Sequence, residues 1–501
     1  MEDDSNEQCR GVIMAEPVTV KAGRKLNMGR DSSWLIGADI VAVFLALIGQ
    51  VVLTRALITE DYGIFILALD VFATTFLIID LGLPTILTRD GANSVNKIWQ
   101  AIWRIYRLQA ICMIPFVALA IIGVVLFIDG WQELLPLTAT CMLVALAHIF
   151  SYAPRSGLRA AGFAKIEAWT KVMERLVSMA GYLTLYFLGS TIVELYALAF
   201  LVGAIVGLFS ALIFARIILR SDSADDDWMG LGSCWIDNKS LILESLPFAI
   251  TLGILPYVIR IEKFIVAGSI GVEAAALFHV AQIAWLAGLV VPQAMRAALL
   301  PILGQRRHNK KKFFSSIEKS LDLCFGLLPV GLFGGAILIQ FLLPIAFPSQ
   351  YTDGSLGASA TDLFMILLVG WCLTLLATPS YTALQAGENP WKFTVFIVVV
   401  VIFATTMGFL LISSMTDSAT SGLYGAAMAS TLTSAFLLVC SIHLAKLWII
   451  VRVRAAEFIA CIALASITCF GFVDNSTLML TGLILFLFTP RGWRALIATD
   501  S

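Results

Sequence analysis

Long apolar runs separated by short polar connections fill most of this chain. A bilayer core of about 30 Å needs roughly 20 apolar residues per helix. Runs of that order fall at 33–54, 62–88, 108–128, 133–153, 168–189, 191–215, 241–267, 272–299, 316–345, 360–383, 392–414, 422–445, 455–473 and, shortest, 476–489. The pattern predicts an all-α, polytopic membrane protein of about fourteen transmembrane helices. One stretch breaks the apolar rule most sharply. In 241–303 two apolar runs meet at Gly268–Gly271, and the first carries Pro247, Pro256, Arg260, Glu262 and Lys263. An Arg or Lys at a membrane-helix centre costs about 2.5–3.5 kcal/mol to insert. Such groups persist where they face a cavity, so this segment is expected to line one. Arg260 and Lys263 stand three apart, on one helical face, and Glu262 is expected to pair with one of them.

Composition supports the same class. The chain is 59% hydrophobic and 13% charged, against about 45–50% and 25% in soluble domains. The net charge of −1 is uninformative, because in a membrane protein the sign matters loop by loop. The polar start, 1–32, lacks the apolar core of a signal peptide and is expected to be a cytoplasmic tail. Nine scattered cysteines without a C-x-x-C pair predict neither disulfides nor a metal site. With no P-loop, H-E-x-x-H or nucleophile elbow, no enzyme activity, cofactor or metal is expected, and nothing points to nucleic acid.

Charge then orients the chain. Every Lys and Arg except Arg55, Arg260 and Lys263 falls in one alternate set of connections and helix ends. The other set is short and carries Asp129, Glu133, Asp353, Asp417 and Asp474. The positive-inside rule puts both termini in the cytoplasm, with multiple passes through the cell membrane. The three remaining cations sit toward the outer ends of the first and seventh runs. They read either as snorkelling side chains or as an anion site.

Two segments recur. Residues 59–68 resemble 272–281, aligning Glu60 with Glu273, Phe65 with Phe278 and Ala68 with Ala281, and 154–162 resemble 379–387 around Pro154 and Pro379. Parallel repeats of this kind hold substrate between the halves and alternate access by rocking. The expected organisation is a tail (1–32), a six-helix half (33–220), a cytoplasmic loop (221–240), a second six-helix half (241–450) and a terminal helix pair (451–501).

The stretches 50–57 (QVVLTRAL), 61–65 (DYGIF) and 80–83 (DLGL) resemble the opening of a known group. So do Pro247, the Ile261-Glu262-Lys263 triplet, Pro301 and 422–427 (GLYGAA). The group is the polysaccharide-transporter branch of the multidrug/oligosaccharidyl-lipid/polysaccharide flippase superfamily. The resemblance covers about 33–450. It implies a flippase moving a polyprenyl-(pyro)phosphate-linked oligosaccharide from the cytoplasmic to the outer leaflet, alongside glycan-assembly enzymes. Where that branch often has an Asp-Arg pair, Glu262 keeps the charge, while Lys263 binds phosphate as a point charge and not as a fork.

The expected substrate-binding residues are therefore Arg55, Arg260, Lys263 and Glu262. Asp70 and Asp80, both within the second run, are candidates for ion coupling, with an Asp80–Arg89 pair as the structural alternative for Asp80. Arg89, Arg155 and Arg159 read first as ordinary inside charge and second as a cytoplasmic mouth. His148 and His279 read as core residues. The Asp225–Asp227 triplet reads as a solvated loop, and the basic run 306–312 as a contact with anionic membrane lipids. A monomer is expected. Two other functions stand beside the flippase: a cation-coupled multidrug exporter of the same superfamily, and a membrane-embedded glycan polymerase.

Overall fold

The computed structural model describes residues 28–127, 131–220, 228–306, 309–387, 389–414 and 419–471. Among them every regular element is a helix. In chain order these are α1 (Met28–Ala56), α2 (Thr59–Thr75), α3 (Leu83–Asp90), α4 (Ile98–Phe127), α5 (Trp131–Ala160), α6 (Ala164–Phe187) and α7 (Val193–Leu219). Then come α8 (Asn238–Ile254), α9 (Tyr257–Ser269), α10 (Val272–Gly288), α11 (Val290–Arg306), α12 (Lys310–Ala346), α13 (Ala360–Gln385) and α14 (Pro390–Ser414). The last are α15 (Ala419–Leu444), α16 (Trp448–Val453) and α17 (Ala455–Gly471).

Ten spans among the described residues are long and apolar enough to cross a membrane, eleven with the bent pair α8–α9. That is short of fourteen, for physical reasons. Helix α6 carries Lys165, Glu167, Lys171, Glu174 and Arg175, α17 is short, and 476–489 lies outside the described residues, as do the Asp225–Asp227 triplet, Arg307 and His308.

Two runs that read as continuous are broken. The run at 62–88 ends its first helix at Thr75, passes through a 3-10 turn (Phe76–Asp80) and restarts as α3. Leu81 and Gly82 both take left-handed φ, 53° and 65°, and Pro84 lies in the first turn of α3, where its missing N–H costs nothing. The run at 241–267 bends by 41° between α8 and α9, with Pro256 capping α9. Pro247 stays inside α8, and its carbonyl accepts from Thr394 Oγ1 at 3.0 Å.

Packing sorts the helices into two groups. In the first, α5 and α6 pack on α7, α6 on α1, and α2 and α3 on α5. In the second, α13 packs on α10, α11, α12 and α15, while α14 packs on α8, α9 and α15. Helix α13 is mostly buried and central, whereas the apolar stretch of α4 is largely exposed and peripheral. The groups meet along α2 and α3, which lie against α10, α9 and α8 in turn.

Two glycines set how closely the groups approach. A Cβ on Gly63 would meet the Val272 carbonyl oxygen at 2.7 Å, and one on Gly82 would meet Ala249 N at 2.6 Å and the Ser245 carbonyl oxygen at 2.8 Å. Gly63 lies at the end of the bundle away from the basic connections, Gly82 toward the basic end. Gly82→Ala is expected to lower stability by about 1–3 kcal/mol, from a strained left-handed φ and a backbone clash together. Gly268→Ala, with open space around it, is expected to be neutral or slightly stabilising. Thermal unfolding of the two variants in detergent checks the contrast.

Candidate functional site

Midway along α2, where the two helix groups touch, charge crosses the boundary. Asp70 of α2 accepts from Lys263 Nζ of α9, and its other oxygen lies 3.2 Å from Arg260 Nε. Arg260 Nη1 donates to Thr74 Oγ1 at 2.6 Å, and Lys263 Nζ lies 2.9 Å from His279 Nδ1 of α10. Lys263 is 1% exposed. Helix periodicity brings 260 and 263 to one face and Asp70 and Thr74 to the face opposite. Thr75 Oγ1 and Tyr257 Oη, 3.5 Å apart, extend the contact by one turn.

A cavity of about 220 Å³ opens beside this cluster. Helices α1, α2, α5, α6 and α7 line it with Gln50, Asp70, His148, Arg175, Ser178 and Tyr182, and Arg260 enters from the second group. Behind it lies a second polar network, confined to the first group. Glu174 Oε1 is 3.0 Å from His148 Nε2, and Glu174 Oε2 accepts from Arg155 Nη2 at 2.7 Å. One α6 face thus carries Glu167, Thr170, Glu174 and Ser178, all buried, and Arg159 pairs with Glu167. Gly203 and Gly207 of α7 leave room for this face: a Cβ at 207 would meet Glu174 Oε2 at 2.5 Å.

A larger crevice, about 570 Å³, lies between the groups toward the basic end. Arg89 and Arg159 line it from the first group and Arg296 from the second, with the Thr88, Ser156, Thr251 and Thr394 side chains. Arg296 Nε donates to Gln385 Oε1 at 2.8 Å, a neutral partner. Arg89 bonds to Asp90 at 2.6 Å and pairs with Glu244 of α8 at 2.7 Å. The Asp90 hydrogen bond holds the Arg89 guanidinium above its ordinary pKa, so it stays charged.

Of the residues singled out from sequence, the structure brings Arg260, Lys263 and Asp70 together. Arg55 shares no partner with them. It is exposed and donates to the carbonyls of Ala346 (2.9 Å) and Ile345 (2.7 Å), capping α12 across the group boundary. Glu262 does not pair with its neighbours, contrary to expectation. It is 0% exposed, and neither carboxylate oxygen has a hydrogen-bond partner, because two residues along a helix turn it about 200° from Arg260. Asp80 does not pair with Arg89 either. It is buried, and its Oδ1 accepts from Gln109 at 3.2 Å. His148 and His279 are polar-cluster members, not lone core residues. Glu174 is not singled out from sequence, and Arg175 and Arg296 read there only as inside charge. The signal for Glu174 is its seven-residue spacing from Glu167, which puts both on one face of a helix otherwise charged with Lys165, Lys171 and Arg175.

The bundle is that of a multi-pass membrane protein, and its fold is shared with transporters of the multidrug/oligosaccharidyl-lipid/polysaccharide flippase superfamily. Its fold matches a transporter of that superfamily from Pyrococcus furiosus, described as having a binding pocket of reversed polarity. That match has a TM-score of 0.58 and 15% identity, over 85% of this chain and 95% of the other. A multidrug resistance MATE family transporter matches in its outward-facing form over 84% of this chain and 95% of its own, and in its inward-facing form over 81% and 94%. Both have a TM-score of 0.58 and 15% identity. The chain belongs to the polysaccharide biosynthesis protein family, whose profile matches residues 28–306, and so to the polysaccharide-transporter branch. A curated relative, "Putative O-antigen transporter" of Shigella flexneri, is 27% identical over 183 residues, 35% of this chain and 42% of that protein. The chain thus aligns with less than half the length of that relative.

Pairing predicts which changes the fold tolerates. Asp70→Ala leaves two cations without their carboxylate and is expected to cost about 3–5 kcal/mol. Adding Lys263→Met should recover much of that loss. Glu262→Gln removes no bond and is expected to be nearly neutral. Melting temperatures of the three variants test this ranking.

Proposed function

We propose that the chain is a flippase for a polyprenyl-(pyro)phosphate-linked oligosaccharide, carrying it from the cytoplasmic to the outer leaflet for cell-surface glycan assembly. The observation that carries this reading is the crevice between the groups, lined by arginines from both sides. Its volume falls within the usual range of ligand sites, about 300–1,000 Å³. Guanidinium groups suit phosphate oxygens, and the hydroxyls beside them suit sugars. The lipid tail stays in the bilayer while the headgroup enters from the basic, cytoplasmic side.

In this reading the two groups are the six-helix halves 33–220 and 241–450, joined by 221–240, with 451–501 as a terminal helix pair. Both termini are cytoplasmic, the membrane is the cell membrane, and the working unit is a monomer. Arg260 and Lys263 are the deeper phosphate ligands. In the closed contact Asp70 occupies their anion position. When the halves part along α2, the two cations lose that carboxylate, and substrate phosphate replaces it. Arg55 closes the outer end by holding α12, and the bend at Pro256 is the flexible joint of the second half. Asp70 is then the internal counter-ion of the site, the role that links charge to movement. Family and fold support a transporter, not an enzyme.

The test is flipping of a fluorescent lipid-linked oligosaccharide in proteoliposomes. Arg296→Ala and Arg260→Ala each remove one charge-assisted contact without leaving a buried carboxylate alone, since Lys263 still holds Asp70. Each is expected to slow flipping about tenfold, and the pair more, with melting temperature held. Wild-type flipping by a well-folded double variant overturns the site. Drug efflux without glycolipid flipping by the unaltered chain would favour the multidrug reading.

A further inference from the structure

A groove on the outside of the first group, unconnected to the site above, has a composition of its own. It is about 650 Å³ and is formed where α4 meets the connection leading into α8. One face of α4 supplies Trp99, Trp103, Arg104, Arg107, Leu108 and Ile111. The opposite wall is Trp228, Ile236 and Asn238. Among the described residues no lining residue is acidic.

The cations here differ from those buried in the bundle. Among the described residues Arg104 bonds neutral acceptors, Asn238 Oδ1 at 2.9 Å and the Trp235 carbonyl. Its guanidinium lies 4.8 Å from the centre of the Trp228 ring, which stacks on Trp235. The nearby Asp237 carboxylate is turned to the backbone N–H groups of Lys239 and Ser240 at the start of α8. Arg107 is exposed, with no carboxylate within ion-pair distance among the described residues. Trp99 and Trp103 meet edge to face, with ring centres 5.9 Å apart.

Polarity falls along the groove. Trp99 lies in the first turn of α4 at the basic end, and Ile111 lies about 18 Å deeper along the helix axis. Ile111 and, beyond it, Ile114 are each 68% exposed, on the helix that is least buried in the bundle. A molecule filling this groove therefore has a phosphate beside two guanidinium groups, an interfacial body against indole rings, and an alkyl chain along Leu108 and Ile111.

We propose that the groove binds the headgroup of an anionic glycerophospholipid of the leaflet at the basic end. The charge complementarity argues for an anion, and the graded wall argues for one that carries acyl chains. Occupancy has a mechanical consequence. One wall belongs to the first group and the other to the connection that enters α8, so a bound headgroup ties that connection down. The connection is already pinned by Trp235 Nε1, which donates to Asp90 at 3.0 Å, beside the Arg89–Glu244 pair that joins the groups.

The test uses the full chain in phosphatidylcholine vesicles with rising fractions of brominated phosphatidylglycerol, read by tryptophan quenching. Quenching is expected to saturate at about fivefold lower mole fraction than with brominated phosphatidylcholine, and Trp103→Phe to shrink the saturable amplitude. Arg107→Glu should raise the half-saturating fraction at least fivefold. Lys319→Glu, an equal charge change at an exposed basic position outside both this groove and the run 306–312, should leave it in place. Equal half-saturation for the two lipids, or equal effects of the two charge reversals, overturns the proposal. So does release of the quenching by unlabelled polyprenyl phosphate but not by unlabelled phosphatidylglycerol, which would make the groove a loading site for substrate.

Discussion

An ion buried in a membrane protein needs a partner, and the position of that partner decides what the pair can do. Glu174 is buried with Arg155 and His148, all within the first helix group, so no relative motion of the groups separates them. Asp70, at the wall of the cavity, pairs with half-buried Arg260 and fully buried Lys263, which arrive from the other group. Separating the groups therefore breaks the second pairing and leaves the first intact. The first is a fixture of the bundle. The second ties the contact between the groups to the charges of Asp70, Arg260 and Lys263. Its geometry follows from a short piece of helix, since one turn of α9 carries both cations and the matching turn of α2 carries Asp70 and Thr74.

The stretch from α2 through the 3-10 turn into α3 reaches both ends of the boundary. Gly63 and Gly82 are the points where the groups approach most tightly, and polar bonds flank each one. Near Gly63, Arg55 caps α12 and Gln350 donates to Thr59 Oγ1 at 2.8 Å. Near Gly82, Arg89 pairs with Glu244. The pairs next to Gly63 are hydrogen bonds to neutral acceptors, and the pair next to Gly82 is an exposed ion pair. Both kinds are individually weak, on the order of 1 kcal/mol. A boundary sealed by small residues and weak polar bonds can open at either end without unfolding any helix.

Much of this was legible in the chain. Thirteen of the fourteen apolar runs overlap described helices, because insertion depends on local composition, although ten spans, or eleven with the bent pair, are long and apolar enough to cross. The outlying cations at 260 and 263 marked the group boundary, since a charge in an apolar run signals a partner elsewhere. The identity of that partner was less legible. Glu262 is the nearest carboxylate in sequence and faces the wrong way; Asp70 is 193 positions from Lys263 and faces the right way. Arg55 carried the same signal as Arg260 yet caps a helix, because a lone cation near a helix end satisfies main-chain carbonyls as readily as a ligand. The break at 81–82 was hidden by its apolar neighbours. Its cue was Gly82 and Pro84 flanking one leucine.

Basic charge near one face of a membrane protein is usually counted by residue, but neutralisation is the more discriminating quantity. Arg155 and Arg159 each hold a buried glutamate of their own group, and removing that glutamate's partner would harm the bundle before it touched any ligand. Arg296 is held by an amide, and Arg104 by an amide and a carbonyl. A cation whose partners are neutral keeps nearly its full charge toward an arriving phosphate, while one already in an ion pair presents little. By that measure Arg296 on the crevice wall and Arg104 and Arg107 in the outer groove are better placed to meet an anion than Arg155 and Arg159. The crevice lies between the groups and the groove faces lipid, so a phosphate-bearing molecule meets them by different routes.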